Sequence, residues 1–146
     1  MTKTVSPSTM MHYGAPISLE SAKAIMAAAE TEADREGWPL VIAIVDSGCN
    51  LVMLHRMDQA QLGSIMMAQQ KAETAVRFRR PTSVFQQLLD EGTAHLRTLA
   101  MPNGLPLEGG IPIVVDGMIV GGIGVSGVRS AQDSQVARAG LAALSG

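Results

Sequence analysis

The feature that most constrains this chain is the glycine-rich segment Gly109–Gly127, which reads GGIPIVVDGMIVGGIGVSG. Two runs rich in β-branched residues, Ile111–Val115 and Met118–Val125, flank the dipeptide Asp116-Gly117. That dipeptide is typical of the two-residue type I′ turn that joins hairpin strands. The segment therefore predicts a β-hairpin.

One face of the second predicted strand carries almost no side chains, because Gly122, Gly124 and Ser126 alternate along it. Interior glycine weakens a strand, so such a face indicates that a helix or a ligand presses on the backbone. We expect helix packing to account for Gly122 and Gly124. The two ends, Gly109-Gly110 and Ser126-Gly127, are then the parts that remain for a ligand.

The rest of the sequence predicts helices and a second hairpin. Helices are expected over 19–36, 63–79, 83–90 and from Ser130 onwards, with strands over 40–45 and 51–55 and a short helical turn around 95–100. Two hairpins can form one antiparallel sheet, and helices separated in this way are typical of an α+β architecture. We predict an α+β fold with an antiparallel sheet flanked by helices.

Length and composition predict one domain and an oligomer. The chain has 146 residues, of which 47% are hydrophobic and 16% charged, and a domain this apolar suits a subunit that buries further surface against copies of itself. Residues 1–16 contain Pro7, Gly14 and Pro16 and are predicted to be an N-terminal arm. Residues 17–146 are predicted to be a single domain.

Charge and targeting signals argue against several classes of partner. The formal net charge is −2, and without a run of lysine or arginine we expect neither a nucleic acid nor a membrane as partner. The first residues contain no apolar core of a signal peptide, which predicts a cytoplasmic protein. The single cysteine, Cys49, excludes an intrachain disulfide.

Two segments together resemble a known family. VDSGCNLVMLHRMDQAQLGSIMMAQQKAETAVRFRRPTS and GGIPIVVDGMIVGGIGVSGVRSAQDSQVARAGL are similar to the GlcG/HbpS family, also called the haem-degrading or DUF336 family. The match runs from about Ser18 to Leu144. The resemblance implies a profilin-like fold, homo-oligomers and, in some members, haem binding, including domains fused to cobalamin adenosyltransferases of the PduO type. Other members are encoded among genes for the catabolism of small organic acids or aromatic compounds.

The family's recognisable positions carry over onto a defined set of residues. They are Asp46, Arg56, Met57, Asp58, Lys71, Thr74, Gly109, Gly110, Gly124, Ser126, Gly127 and Asp133. Three positions depart from the family pattern: Cys49 and Gln59 stand where glycine is common, and Glu73 stands where arginine often occurs.

Candidate ligand-binding residues follow from charge and from the glycines. An arginine grips a carboxylate through two parallel hydrogen bonds, and a lysine adds a point charge. Together with positions that the family resemblance implies, the predicted ligand-binding set is Arg56, Thr74, Gly109, Gly110, Ser126, Gly127 and Asp133. Two structural interpretations stay open: Arg56 pairs with Asp58, and the stem of Lys71 packs while its ammonium reaches water.

The histidines His12, His55 and His95 lack the spacing of a metal site, so no structural metal is expected. A lone histidine can still be an axial haem ligand. His95 is the first candidate and His12 the second, because an arm can reach a neighbouring subunit. No covalent attachment motif is present, so haem would be bound non-covalently.

Two functions therefore remain as main alternatives. The first is an oligomeric protein that binds a small anionic ligand or haem in a pocket near the glycine-rich hairpin. The second is a catabolic enzyme, an isomerase, tautomerase or hydrolase, that performs acid–base chemistry on a small organic acid or aromatic breakdown product. Its candidate catalytic residues are Asp58, Lys71 and His95. A third alternative is an accessory oligomer without chemistry of its own.

Overall fold

Residues 11–144 are described by a computed structural model. Their strands are β1 (His12–Tyr13), β2 (Val41–Asp46), β3 (Leu51–Arg56), β4 (Gly110–Val115) and β5 (Met118–Ser126). Their helices are α1 (Leu19–Glu36), α2 (Gly63–Phe78), α3 (Ser83–Asp90) and α4 (Ser130–Leu141), with 3-10 segments at Thr93–Ala100 and Ala142–Leu144.

The strands form one sheet around β5. This strand pairs antiparallel with β2 and with β4, and β2 pairs antiparallel with β3. Asp116 and Gly117 have φ values of 52° and 77°, which are the two positive angles that a type I′ turn needs. Both predicted hairpins and the α+β class are confirmed.

The end of the predicted N-terminal arm is part of the sheet. His12 and Tyr13 form β1, which pairs in parallel with Met118 and Ile119. The backbone N–H groups of Gly14 and Ile17 donate to β5 at 2.8 and 2.9 Å. The expectation of an arm up to residue 16 was wrong for this stretch, because a two-residue strand leaves no alternation to detect.

Helix α2 packs against the glycine face of the sheet. A Cβ atom at Gly124 would run into the carbonyl oxygen of Ala68, and one at Gly122 would lie 2.5 Å from that of Ala72. The small residues on both surfaces allow this close approach. Packing therefore explains Gly122 and Gly124, as predicted.

Helices α1 and α4 cover the opposite face of the sheet. Their buried residues Ile25 and Val136 share one apolar cluster with Ile42, Ile44 and Ile123 of the sheet. Burial of each side chain of this size contributes roughly 2 kcal/mol to the free energy of unfolding. The sheet is thus the middle of three layers, and no helix among residues 11–144 is long and apolar enough to cross a bilayer.

Candidate functional site

One end of the sheet gathers most of the residues predicted to be functional. Here β2 and β4 begin while β3 and β5 end, and the strand register places Arg56, Val41 and Ser126 in one row. Helix α4 begins four residues after Ser126. We refer to this region as the sheet-end site.

The centre of the sheet-end site is a buried ion pair. Lys71 Nζ of α2 lies 3.1 Å from Asp133 Oδ2 of α4 and donates a second hydrogen bond, of 2.9 Å, to the carbonyl oxygen of Val125. The two charged side chains are 2% and 3% exposed. The expectation that the Lys71 ammonium reaches water was wrong, because Asp133 gives it a partner inside the protein.

Burial also determines the protonation of Asp133. Loss of solvent raises the pKa of this carboxyl from 3.8 to about 6, although the charge and hydrogen bond of Lys71 and the Val128 N–H act in the opposite direction. The Val128 N–H donates to Asp133 Oδ1 at 3.2 Å. Asp133 therefore titrates close to neutral pH, where a group can exchange protons.

The two glycines at the start of the hairpin lie directly against Lys71. Gly109 has φ of 134°, and a Cβ atom there would lie 2.9 Å from Lys71 Nζ. A Cβ atom at Gly110 would run into the backbone carbonyl of Lys71. The Gly110 N–H donates to Thr82 Oγ1 at 2.9 Å, so Thr82 fixes this segment over the ion pair.

The end of β5 is tied to helix α2 by two hydroxyl groups. Ser126 Oγ donates to Ser64 Oγ at 3.1 Å, and both residues are buried. Gly127 follows with φ of 150°, and a Cβ atom there would lie 2.7 Å from Leu40. No periodicity marks Ser64 as a partner of Ser126, since the two residues are distant in sequence.

Arg56 and Asp58 lie beside an open groove of about 420 Å³ that is lined by residues 56–60. Both side chains are exposed. No salt bridge joins them or involves either one within residues 11–144. Helix α2 begins next to this groove without a side-chain cap, so its first N–H groups add positive potential. The structural pairing of Arg56 with Asp58 is absent, and no ion pair among residues 11–144 occupies the guanidinium.

Thr74 lies one turn beyond Lys71 on α2 and is buried. Its Oγ1 donates to the Gln70 carbonyl at 2.7 Å and accepts from the Leu105 N–H at 2.9 Å. Thr74 therefore holds the loop that follows the 3-10 segment Thr93–Ala100. Neither of these hydrogen bonds connects Thr74 to the Lys71–Asp133 pair.

The three histidines lie in three different elements, and none of them lines the groove at Arg56. His95 is on the 3-10 segment Thr93–Ala100, with its Nε2 3.5 Å from Glu91 Oε1. His12 is exposed in β1, and His55 Nδ1 lies 2.9 Å from Glu30 Oε2 on the α1 side. Residues 11–144 contain no cluster of three or more histidine, cysteine or acidic side chains arranged for a metal ion.

Comparisons with known proteins place these residues in a family. The family model described as "Haem degrading protein HbpS-like" matches residues 17–142. Protein GlcG of Escherichia coli K12 is 40% identical over 110 residues, which cover 75% of this chain and 81% of that protein.

Two solved structures show the same fold. A double mutant of HbpS from Streptomyces reticuli has a TM-score of 0.79 at 32% identity, covering 99% of this chain and 97% of its own. A complex of PduOC with haem has a TM-score of 0.79 at 29% identity, covering 88% and 94%. The chain therefore belongs to the HbpS-like family of proteins.

Proposed function

We propose that this protein binds a carboxylate-bearing ligand at the sheet-end site, and that haem is that ligand. The observation that supports it most directly is Arg56, which is exposed beside a groove of about 420 Å³ and has no ion-pair partner within residues 11–144. A guanidinium binds carboxylates through paired hydrogen bonds. Haem carries two propionate groups, and the PduOC structure contains haem.

The residues of one chain fit haem only in part. Arg56 suits a propionate, but the groove is lined by the polar residues Arg56, Asp58 and Gln59 together with Met57 and Ala60, and no histidine lines it. A tetrapyrrole also needs an apolar surface and, in many proteins, an axial ligand. His95 is the first candidate ligand and His12 the second.

Exposed apolar side chains support the proposal that the protein is a homo-oligomer. Leu62 and Met66 at the start of α2 are 70% and 68% exposed, and Leu96 and Leu99 on the 3-10 segment are 52% and 64% exposed. A second copy would cover such surface. Sedimentation equilibrium of the whole protein tests this, and a purely monomeric species at micromolar concentration would overturn it.

Haem titration tests the proposed function. A saturable shift of the Soret band is expected, and Arg56→Ala should weaken binding by about tenfold because it removes a charged hydrogen-bond donor. Arg138→Ala, which alters an exposed arginine on α4, is the matched control. Absence of a saturable shift at micromolar haem would overturn haem binding, and equal affinity of both variants would overturn the role of Arg56.

The axial ligand is tested separately by spectroscopy. His95→Ala and His12→Ala are each titrated with haem and compared with His55→Ala. Loss of the ligand changes the position of the Soret band, whereas loss of a propionate contact changes only the affinity. If all three variants give the wild-type spectrum, none of these histidines is the ligand.

Acid–base chemistry is the second candidate function. It is favoured by one observation, the carboxyl of Asp133 with a pKa of about 6 beside the Lys71 ammonium. Asp58 and His95 are the other proposed proton carriers. A small carboxylic acid incubated in deuterated water should exchange a carbon-bound proton with the wild type and not with Lys71→Ala. Equal exchange by both proteins would exclude a role for Lys71.

A further inference from the structure

A second polar cavity lies on the outer side of α2, away from the sheet. Its walls are Gln70, Glu73 and Arg77 of the helix and residues 103–105 of the loop that faces it, and its volume is about 140 Å³. It shares no lining residue with the groove at Arg56. We call it the α2–loop cleft.

The helix wall of the α2–loop cleft carries one positive and one negative charge. Arg77 Nη1 donates to Glu73 Oε1 at 3.0 Å and to the carbonyl oxygen of Asn103 at 3.3 Å. Within residues 11–144 the hydrogen bonds of this guanidinium come from Nη1, which leaves Nε and Nη2 for a ligand. Glu73 Oε2 accepts from Gln69 at 3.2 Å, so the carboxylate is held in place.

The loop wall is fixed before any ligand arrives. The Leu105 N–H is bonded to the buried Thr74 hydroxyl at 2.9 Å. A Cβ atom at Gly104 would lie 2.9 Å from Met101 Cε and 3.3 Å from a ring carbon of Phe78. The loop therefore packs tightly beneath the cleft, and a ligand would not have to order it.

From this arrangement we infer that the α2–loop cleft binds a small zwitterionic α-amino acid. Its carboxylate accepts from the Nε and Nη2 hydrogens of Arg77 and from the Gln70 amide, and its ammonium group donates to Glu73. An anion alone would face the Glu73 charge and an amine alone would face Arg77, so a molecule with both groups fits best.

The volume of the cleft limits the size of this amino acid. At about 30 Å³ for each water molecule in the liquid, the cleft has room for roughly five waters. Glycine, alanine and serine are of this size, and larger side chains would extend into solvent. This amino-acid site is distinct from the proposed carboxylate site at Arg56, because it lies on another surface and its ligand carries both a positive and a negative charge.

Amide chemical shifts of the ¹⁵N-labelled protein test the inference. Glycine should shift the Gly104 and Leu105 amides saturably, and acetate and methylamine, which each carry one of the two charges, should bind at least about tenfold more weakly. Equal binding of acetate and glycine would overturn the zwitterion assignment. No saturable shift with glycine or serine at tens of millimolar would overturn the site.

Matched variants locate the binding. Arg77→Gln and Glu73→Gln should each weaken glycine binding by about tenfold. Arg97→Gln should leave glycine binding unchanged, because within the described part of the chain the Arg97 side chain donates only to the nearby Ala94 carbonyl. Arg56→Ala should also leave glycine binding intact while it weakens haem binding, so the two proposals fail independently. Unchanged affinity in Arg77→Gln, with a wild-type melting temperature, would overturn the inference.

Discussion

Lys71 Nζ and Asp133 Oδ2 lie 3.1 Å apart with both side chains almost fully buried. The bond joins α2, which packs on one face of the sheet, to α4, which packs on the other. Removing one partner of a buried ion pair destabilises a protein more than replacing both partners by neutral side chains, because the remaining charge has no partner. This difference gives the first prediction.

Lys71→Met should destabilise the protein by up to about 3 kcal/mol, since the buried Asp133 carboxyl group loses its cation and must either stay charged and unpaired or bind a proton. Urea unfolding at pH 7 measures the change. Lys71→Met/Asp133→Asn removes both charges and keeps an acceptor for the Val128 N–H, so it should be more stable than the single variant. A double variant less stable than Lys71→Met would contradict this account.

Stability should depend on pH through Asp133. Its pKa is about 6 in the folded protein, above the ordinary value of 3.8. The folded protein therefore holds the Asp133 proton more tightly than the unfolded chain does. The resulting contribution to the unfolding free energy is fully present below about pH 4 and is lost as the pH rises through about 6. The unfolding free energy of the wild type, relative to Asp133→Asn, should therefore fall between pH 4 and pH 7. Urea unfolding across this range measures it, and a difference that rises with pH would be the opposite of this prediction.

Gly124→Ala should destabilise the protein by about 3 kcal/mol, because the new Cβ atom meets the backbone carbonyl of Ala68 and neither backbone can move freely. Gly63→Ala is the matched control. A Cβ atom at Gly63 has no neighbour within 4 Å, and alanine favours the helix by up to about 1 kcal/mol. Similar melting temperatures for the two variants would refute the packing of α2 on this strand.

Thr74→Val should loosen the loop at residues 101–106, because it removes the acceptor of the Leu105 N–H. We expect a loss of about 1 kcal/mol and faster hydrogen exchange at the Leu105 amide. Thr31→Val, which removes the bond from an exposed hydroxyl group to the Ala27 carbonyl within α1, is the control. If the Leu105 amide exchanges equally in both variants, the loop is held by other contacts.

The sequence predicts the elements well, since their signals are local. The type I′ turn at Asp116-Gly117 and the helix Leu19–Glu36 each follow from neighbouring residues, and both are present in the structure. The tight fit of α2 could also be inferred, because glycines on a strand face imply a close neighbour.

The partners within the site could not be predicted in the same way. Asp133 is predicted from the sequence as a ligand-binding residue, yet its carboxyl group pairs with Lys71 from 62 residues away. The Ser126 hydroxyl finds Ser64 across the same distance, and neither pairing leaves a pattern in the sequence. The Oε1 atom of Gln86 likewise accepts from the N–H of Glu108, 22 residues further along the chain. Contacts of this kind depend on the tertiary fold.

The central position of β5 has a consequence for the order in which the protein is made. This strand pairs with β1, β2 and β4, but among residues 11–144 it is the last strand to be synthesised and ends at Ser126. During translation, β1 and the β2–β3 hairpin leave the ribosome long before the strand that joins them. Until β5 emerges, the apolar strand Val41–Val45 lacks one of its two neighbouring strands in the sheet. Slow synthesis therefore lengthens the time during which this strand can aggregate with other chains.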